Sequence, residues 1–420
     1  MSREFKIIIS IVIVLSFCLL TIINIKLHYS PDLENEVETK KDVILQLNFI
    51  ENQLKNNDLG RKMQRSYPEG YVFIHALYGL TWAEIAKSET QKSNLYIHAL
   101  TEAIYAYNQI NSAYAKRIFD IDLKPEYGVF YRGWKNYLLA KIIDSQFEKD
   151  TRIIHEFNSN CNEIAMAFSN SKSPFPESYW YSSWPADAFV AVASLKLHDE
   201  IFKSEYDTII SNWLIKVKSK VDKKTGLIPH STNYKTGNKI EGTRGSSICL
   251  SLIFLSEINP EFAQQQFQIF MEKFPISRFA LPAIREYPEG VYGNGDIDSG
   301  PVILDVSFAG TIVSIGTFKK FGEYNVANKI SNCIEGFGFP ITTKNEKTYL
   351  LGTLPIADAF IAWSRIQNSN KTITQKYRTN NYNFGSILLF HLYSAIILII
   401  TTLAYYRKKI IKILKKQSQT

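Results

Sequence analysis

The sequence predicts an all-α protein, an (α/α)6 toroid of six helical hairpins flanked by an N-terminal and a C-terminal transmembrane helix. Three observations predict it. Short punctuation phrases return at a near-constant interval, each opening an apolar run rich in small residues. More polar amphipathic runs lie between them, and two long uncharged runs bracket the whole.

The first uncharged run, Ile7 to Ile25, has 19 residues, and the second, Phe384 to Tyr406, has 23. Each is long enough to cross about 30 Å of hydrocarbon as a helix. A cleaved signal peptide is the other reading of the first. Its apolar stretch exceeds the usual length of about 7–15 residues, however, and no A-x-A site follows. Arg3, Glu4 and Lys6 precede the first run, and Arg407, Lys408, Lys409, Lys412, Lys415 and Lys416 follow the second with no acid among them. Positive flanks stay in the cytoplasm, so both termini are expected there. The expected organisation is a cytoplasmic tail at 1–6, a span at 7–25, an extracytoplasmic barrel domain at 26–383, a span at 384–406 and a basic cytoplasmic tail at 407–420. The domain faces the periplasm or the exterior of a cell membrane, with the lipid bilayer as partner through both helices.

The two tails carry all but one of the eight net positive charges, so the domain is near neutral. That removes the electrostatic case for a nucleic-acid partner. Four cysteines without a CxxC motif or a Cys/His pair at ligand spacing exclude a disulfide scaffold and a zinc ribbon.

Within the domain, Tyr67-Pro68-Glu69-Gly70 returns as Tyr287-Pro288-Glu289-Gly290. Pro185-Ala186-Asp187-Ala188-Phe189-Val190-Ala191 returns, with one insertion, as Pro355 to Ala362. Taking Gly70, Gly128, Ala186, Arg244, Gly300 and Ile356 as anchors, the steps are 58, 58, 58, 56 and 56. Amphipathic runs such as Gln91 to Tyr114 and Pro260 to Phe274 alternate with them, so an apolar inner set is covered by an outer one. Six hairpins closing on themselves give the toroid; an open α-solenoid would need polar capping repeats at its ends.

In such a barrel the loops entering the inner helices open on one rim, the default pocket. It receives mainly aromatics and carboxylates, among them Tyr67, Glu177, Glu241, Arg285, Glu286, Tyr349 and Asp358. The catalytic candidates are Asp296, Asp298, Glu289 and Asp187. The substrate-binding candidates are Tyr131, Tyr179, Trp180, Trp184, His230, Arg244, Tyr292 and Glu69. Asp296 and Asp298 lie in Tyr287 to Pro301, where four glycines and two prolines fix a tight path and crowded carboxylates raise one another's pKa, as a general acid near neutral pH requires. Several of these residues also have plain structural readings. Asp298 or Ser299 would cap a helix beginning near Gly300. Asp187 and Asp358 stand in first turns, where the helix dipole favours an acid, and an arginine such as Arg244 neutralises its neighbours. No metal site is expected, since the EF-hand spacing and its closing Glu are absent, and no cofactor is expected.

The run from Asp222 to Phe274, D-x-x-T-G-L-I-P-H…T-G…S-S-I-C-L-S-L…I-N-P-E-F-A…F-x-x-F, resembles the linalool dehydratase/isomerase family. The resemblance continues through Arg285-Glu286, Gly295 to Ala309 and Ala357 to Trp363, and more weakly through Tyr131-Arg132-Gly133. It implies the same (α/α)6 barrel and an extracytoplasmic site that eliminates water from a small tertiary alcohol or isomerises it. The places corresponding to that family's cysteine pair and histidine hold Phe175, Trp184 and Trp134, so no cysteine or histidine role carries over.

The expected function is therefore a membrane-anchored enzyme of lyase or isomerase type working by rim carboxylates on a small molecule. The rivals are a glycan-active hydrolase or epimerase on the same toroid, since glycosidases pair carboxylates beside aromatic platforms, and a non-catalytic envelope protein that binds a ligand.

Overall fold

The structure, a computed structural model, describes residues 3–146, 150–373 and 385–417. It is mostly helical. In chain order the helices are α1 (Arg3–Lys26), α2 (Glu36–Asn56), α3 (Leu59–Ser66), α4 (Gly70–Ser88), α5 (Asn94–Ile110), α6 (Ala113–Lys116), α7 (Gly128–Ser145) and α8 (Thr151–Asn170). They continue with α9 (Pro185–Ile201), α10 (Asp207–Lys218), α11 (Gly245–Ile258), α12 (Pro260–Lys273), α13 (Phe308–Lys320), α14 (Tyr324–Gly338), α15 (Pro355–Ile366) and α16 (Ile387–Gln417). Among the described residues, strand is confined to four two-stranded antiparallel hairpins. These are β1 (Ser231–Thr232) with β2 (Lys239–Glu241), β3 (Pro275–Arg278) with β4 (Leu281–Ile284), β5 (Gly295–Asp296) with β6 (Gly300–Pro301), and β7 (Ile341–Thr342) with β8 (Lys347–Thr348).

Composition separates two sets of helices. α4, α7, α9 and α11 are buried nearly all round, whereas α5, α8, α10, α12 and α14 bury one stripe each. The buried set is in serial contact: α4 on α7, α7 on α9, α9 on α11, α11 on α13, α13 on α15, and α15 again on α4. Small residues permit the close approach, as where Gly133 of α7 faces Ala191 of α9. The outer helices α2, α5, α8 and α12 begin with side-chain caps, from Asn35, Ser93, Asp150 and Asn259.

Five anchors fall within one residue of a helix start, namely Gly70, Gly128, Ala186, Arg244 and Ile356. Gly300 does not. The helix expected there begins at Phe308, capped by Ser307 through the Gly310 amide. The reason is local, because Gly295 and Gly300 both take left-handed backbone (φ 76° and 69°) in the β5–β6 hairpin. Neither Asp298 nor Ser299 caps a helix.

A buried charge cluster joins the first and last hairpins. Arg365 of α15 bonds Asp42 of α2 and Glu335 of α14, each at 2.8 Å, and Lys347 bonds the same two acids at 2.6 and 2.7 Å. Tyr349 adds its hydroxyl to Glu335. A second cluster links the C-terminal ends of the inner helices, with Lys141 on Glu84 (2.8 Å), Lys320 on Glu257 (2.6 Å) and Tyr137 donating to Glu257 (2.7 Å).

Among the described residues, one helix is long and apolar enough to cross a membrane, over Ile387–Tyr406 of α16; the apolar part of α1, Ser10–Lys26, is shorter. Phe384, where the second span was expected to start, lies outside the described residues, as do 1–2 and 418–420 of the expected tails. α1 and α16 run antiparallel, with Ser10 bonding Tyr405 near one end and Asn24 bonding His391 near the other. Apart from Ile23, Leu27 and Phe390, which pack on Leu281 and Cys333, their large apolar side chains are mostly exposed.

Candidate functional site

Five of the six serially packed helices, α4, α7, α9, α11 and α15, start without a cap from their own N-cap side chain, and at α7 and α11 neighbouring loops supply the acceptors, Val129 N donating to the Glu177 carbonyl at 2.9 Å and Gly245 N to the Glu286 carbonyl at 2.7 Å. Tight backbone contacts hold the entering loops there. Gly128 (φ 85°) brings the start of α7 so close to the Ser178 carbonyl that a Cβ would lie 2.3 Å from it. At Gly245 a Cβ would lie 1.9 Å from the Arg285 carbonyl. The Ser178–Ser182 turn is tied to β1 by the Ser183–Thr232 bridge, with Thr232 N donating to the Ser183 carbonyl at 3.0 Å.

Three carboxylates from three separate loops act on one another at this rim. Asp187, in the first turn of α9, is buried and its pKa is raised to about 7. Burial is the main cause, with the charges of Glu69 and Asp298 adding to it and the Ser178 hydroxyl opposing it. Asp187 also stands in the first turn of α9, where the helix N-terminus favours the ionised form, so burial outweighs that effect. Glu69, at the head of α4, is also raised by burial and by Asp298. Asp298 is raised by desolvation and by Asp296, with Arg244 pulling the other way. Tyr179 feels all three: burial and then the charges of Glu69, Asp187 and Asp298 hold its phenol well above the usual tyrosine range, so it stays protonated. Its ring meets Phe130 at 5.5 Å and the edge of Trp184 at 5.3 Å.

Beside this group is an ion-pair cluster around the buried Arg244 and Glu286. Arg244 donates from Nε to Glu286 at 2.6 Å, from Nη1 to Asp296 and from Nη2 to the Ser299 hydroxyl at 2.8 Å. Glu286, fully buried, also accepts from the Ser246 amide and hydroxyl and from Ser307, and so ties the starts of α11 and α13 together. Two expectations are corrected here. Asp296 is not a general acid near neutral pH, since its bonds to Arg244 and Ser299 hold it at about 2. Arg244 is spent on protein carboxylates rather than held free for a ligand. His230, 3.5 Å from Arg244, is lowered to about 4 by burial and by that positive neighbour, and is neutral at pH 7.

Other candidates lie apart. Tyr131 is fully buried, with its hydroxyl on the Ile110 carbonyl at 3.1 Å, because its helical phase turns it toward α5. Glu289 is exposed and 3.7 Å from Arg285. Tyr292 is exposed, and Trp180 is half-exposed against Tyr181. Asp358 is buried and raised to about 7 by burial; its Oδ1 accepts from the Tyr349 amide while Oδ2 has no partner among the described residues. Glu286 was named only as a rim residue, and its stapling role carries no sequence signal.

The inner helices also carry apolar side chains that are not fully buried. Phe73, Leu250, Ile312, Ile356 and Phe360 are half-buried on four inner helices. Phe73 meets Phe360 at 5.1 Å and Trp134 at 5.0 Å. A group of Glu51, His98 and Glu102 has the reach to hold a metal, but Lys55 already bonds both acids, at 2.9 and 2.6 Å. No protein-family model and no curated protein matches this chain.

Proposed function

We propose that this chain is a membrane-anchored (α/α)6-toroid enzyme performing acid–base chemistry, of lyase or isomerase type, at the rim where the inner helices begin. The observation that carries the reading is Asp187, a buried carboxyl poised near neutral pH beside two further carboxylates. A general acid works best with a pKa near the working pH, and Asp187 meets that condition. Glu69 or Asp298, when ionised, takes the complementary role of base, and Tyr179 donates a hydrogen bond to the substrate oxygen. The serial contacts of the six inner helices support the toroid. The α1–α16 pair supports two anchoring helices with both termini on one side, in the cytoplasm, and the domain outside it. The half-buried apolar side chains Phe73, Leu250, Ile312, Ile356 and Phe360 of the inner helices suit a hydrocarbon-rich alcohol, in line with the resemblance to linalool dehydratase/isomerase.

A second reading, glycan hydrolysis or epimerisation, is favoured by one observation: Trp180, Tyr181 and Tyr292, on loops that enter the inner helices, present exposed aromatic faces suited to stacking on sugar rings.

The test is to incubate the full chain in detergent micelles with small terpenoid alcohols and, separately, oligosaccharides, reading product mass. Turnover of one class, lost in Asp187→Asn while the melting transition persists, supports the catalytic reading and selects the class. Ligand binding without turnover, unchanged in Asp187→Asn, contradicts it and leaves a binding protein.

A further inference from the structure

We propose that the rim carrying the carboxylates is seated on the lipid bilayer, so that the mouth of the site opens onto the membrane rather than onto bulk water. This rests on the membrane-anchored reading above and adds a direction to it. The direction comes from how the anchors leave the domain. Leu33 N bonds Asn328 at 2.8 Å, the Ser30 hydroxyl bonds Ser331 at 2.6 Å, and Lys26 Nζ reaches the Pro340 carbonyl at 3.2 Å. Followed backwards, the chain therefore runs along α14 toward its C-terminal end. α16 takes the same course, with Phe390 beside Phe337. The C-terminal end of α14 leads through residues 339–354 into the start of α15, which is the rim side. The exposed apolar lengths of α1 and α16 accordingly continue past the rim.

The surface facing them matches. The loop between α12 and α13 presents Tyr292 (79% exposed), Ile297 (65%) and Ile303, and α13 opens with exposed Phe308. The next loop presents Ile341, Leu350, Leu351 (71%) and Leu354. At the opposite end of the helices, the connections at 89–93, 202–206, 321–323 and 367–373 expose no large apolar side chain. An apolar patch of this kind marks an interaction surface, and its continuity with the anchoring pair selects lipid as the occupant. A cup opening onto lipid takes a substrate carried by the membrane, whether its reacting part is an alcohol or a sugar.

The experiment places the full chain in phosphatidylcholine vesicles containing a photoactivatable phosphatidylcholine with a diazirine on its acyl chain, and maps the cross-linked peptides by mass spectrometry. The expected result is labelling of α1 and α16 together with peptides 287–308 and 341–354, and none at 89–93 or 202–206. Labelling confined to α1 and α16 overturns the seated rim while leaving the anchors in place. Absence of label everywhere overturns the anchored reading, and this inference with it.

Discussion

Replacing Asp187 by asparagine should stabilise the protein at alkaline pH and not at acid pH, a consequence readable without any substrate. An aspartate in an unfolded chain titrates at about 3.9, whereas burial in the folded chain raises Asp187 to about 7. Between those values the folded state holds a proton that the unfolded state has released. Stability therefore falls as pH rises from about 4 to about 7 and is level above. At about 1.4 kcal/mol for each pH unit, the loss above pH 7 approaches about 4 kcal/mol as an upper bound. Asparagine removes the buried charge but weakens the contact with Ser178, worth about 1 kcal/mol, so the variant gains about 3 kcal/mol at pH 8. For a folded domain of this size the unfolding entropy is about 0.7 kcal/mol/K, which turns the gain into about 4 °C. The assay is thermal melting of the full chain in micelles at pH 4 and pH 8. A variant melting no higher than the parent at pH 8, or higher by the same amount at both pH values, refutes the reasoning.

Asp298→Asn should lower the pH at which Asp187 titrates, since the Asp298 charge raises it; an unchanged midpoint in the pH–stability curve would contradict this. Asp296→Asn should cost less than about 1 kcal/mol in chemical denaturation, because its carboxylate is 41% exposed and its ion pair with Arg244 is partly screened; a loss of several kcal/mol would count against it. Arg365→Met leaves Glu335 and Asp42 buried without their main partner and should cost about 3–5 kcal/mol, so a urea midpoint close to the parent's would refute the clasp. Ellman's reagent at pH 8 should titrate at most Cys18 in the folded chain and all four thiols once it is unfolded, because burial pushes Cys161 and Cys333 up to about 12 and Cys249 higher still. Prompt labelling of two or more thiols in the folded chain would be inconsistent.

Helix starts were legible where a proline or glycine stands at the boundary, as at Gly70, Gly128, Pro185 and Pro355. Gly300 misled because glycine also serves left-handed hairpin positions, and only the Ser307 cap fixes where α13 begins. Glu69, Asp187 and Asp298 were assigned to one rim by placing all inner-helix starts at one end, but their grouping apart from Glu289 and Asp296 was not foreseen. The division of labour between Asp296 and Asp298 did not follow, since it depends on which of two neighbouring carboxylates reaches Arg244. Tyr131 was misplaced because a residue one turn into a helix faces in or out according to phase, and here the phase favours Ile110. The Arg365 cluster gave no signal at all. Asp42, Glu335 and Lys347 resemble solvated surface charges until α2, α14 and α15 meet.

One rim carboxyl, Asp187, holds its proton through the acid range and releases it only near pH 7. Infrared difference spectroscopy of the full chain against Asp187→Asn, titrated from pH 4 to pH 9, measures that carboxyl directly. A protonated carboxyl band that is present at pH 6, absent from the variant and lost near pH 7 is the predicted result. A group already ionised by pH 5 would contradict the account.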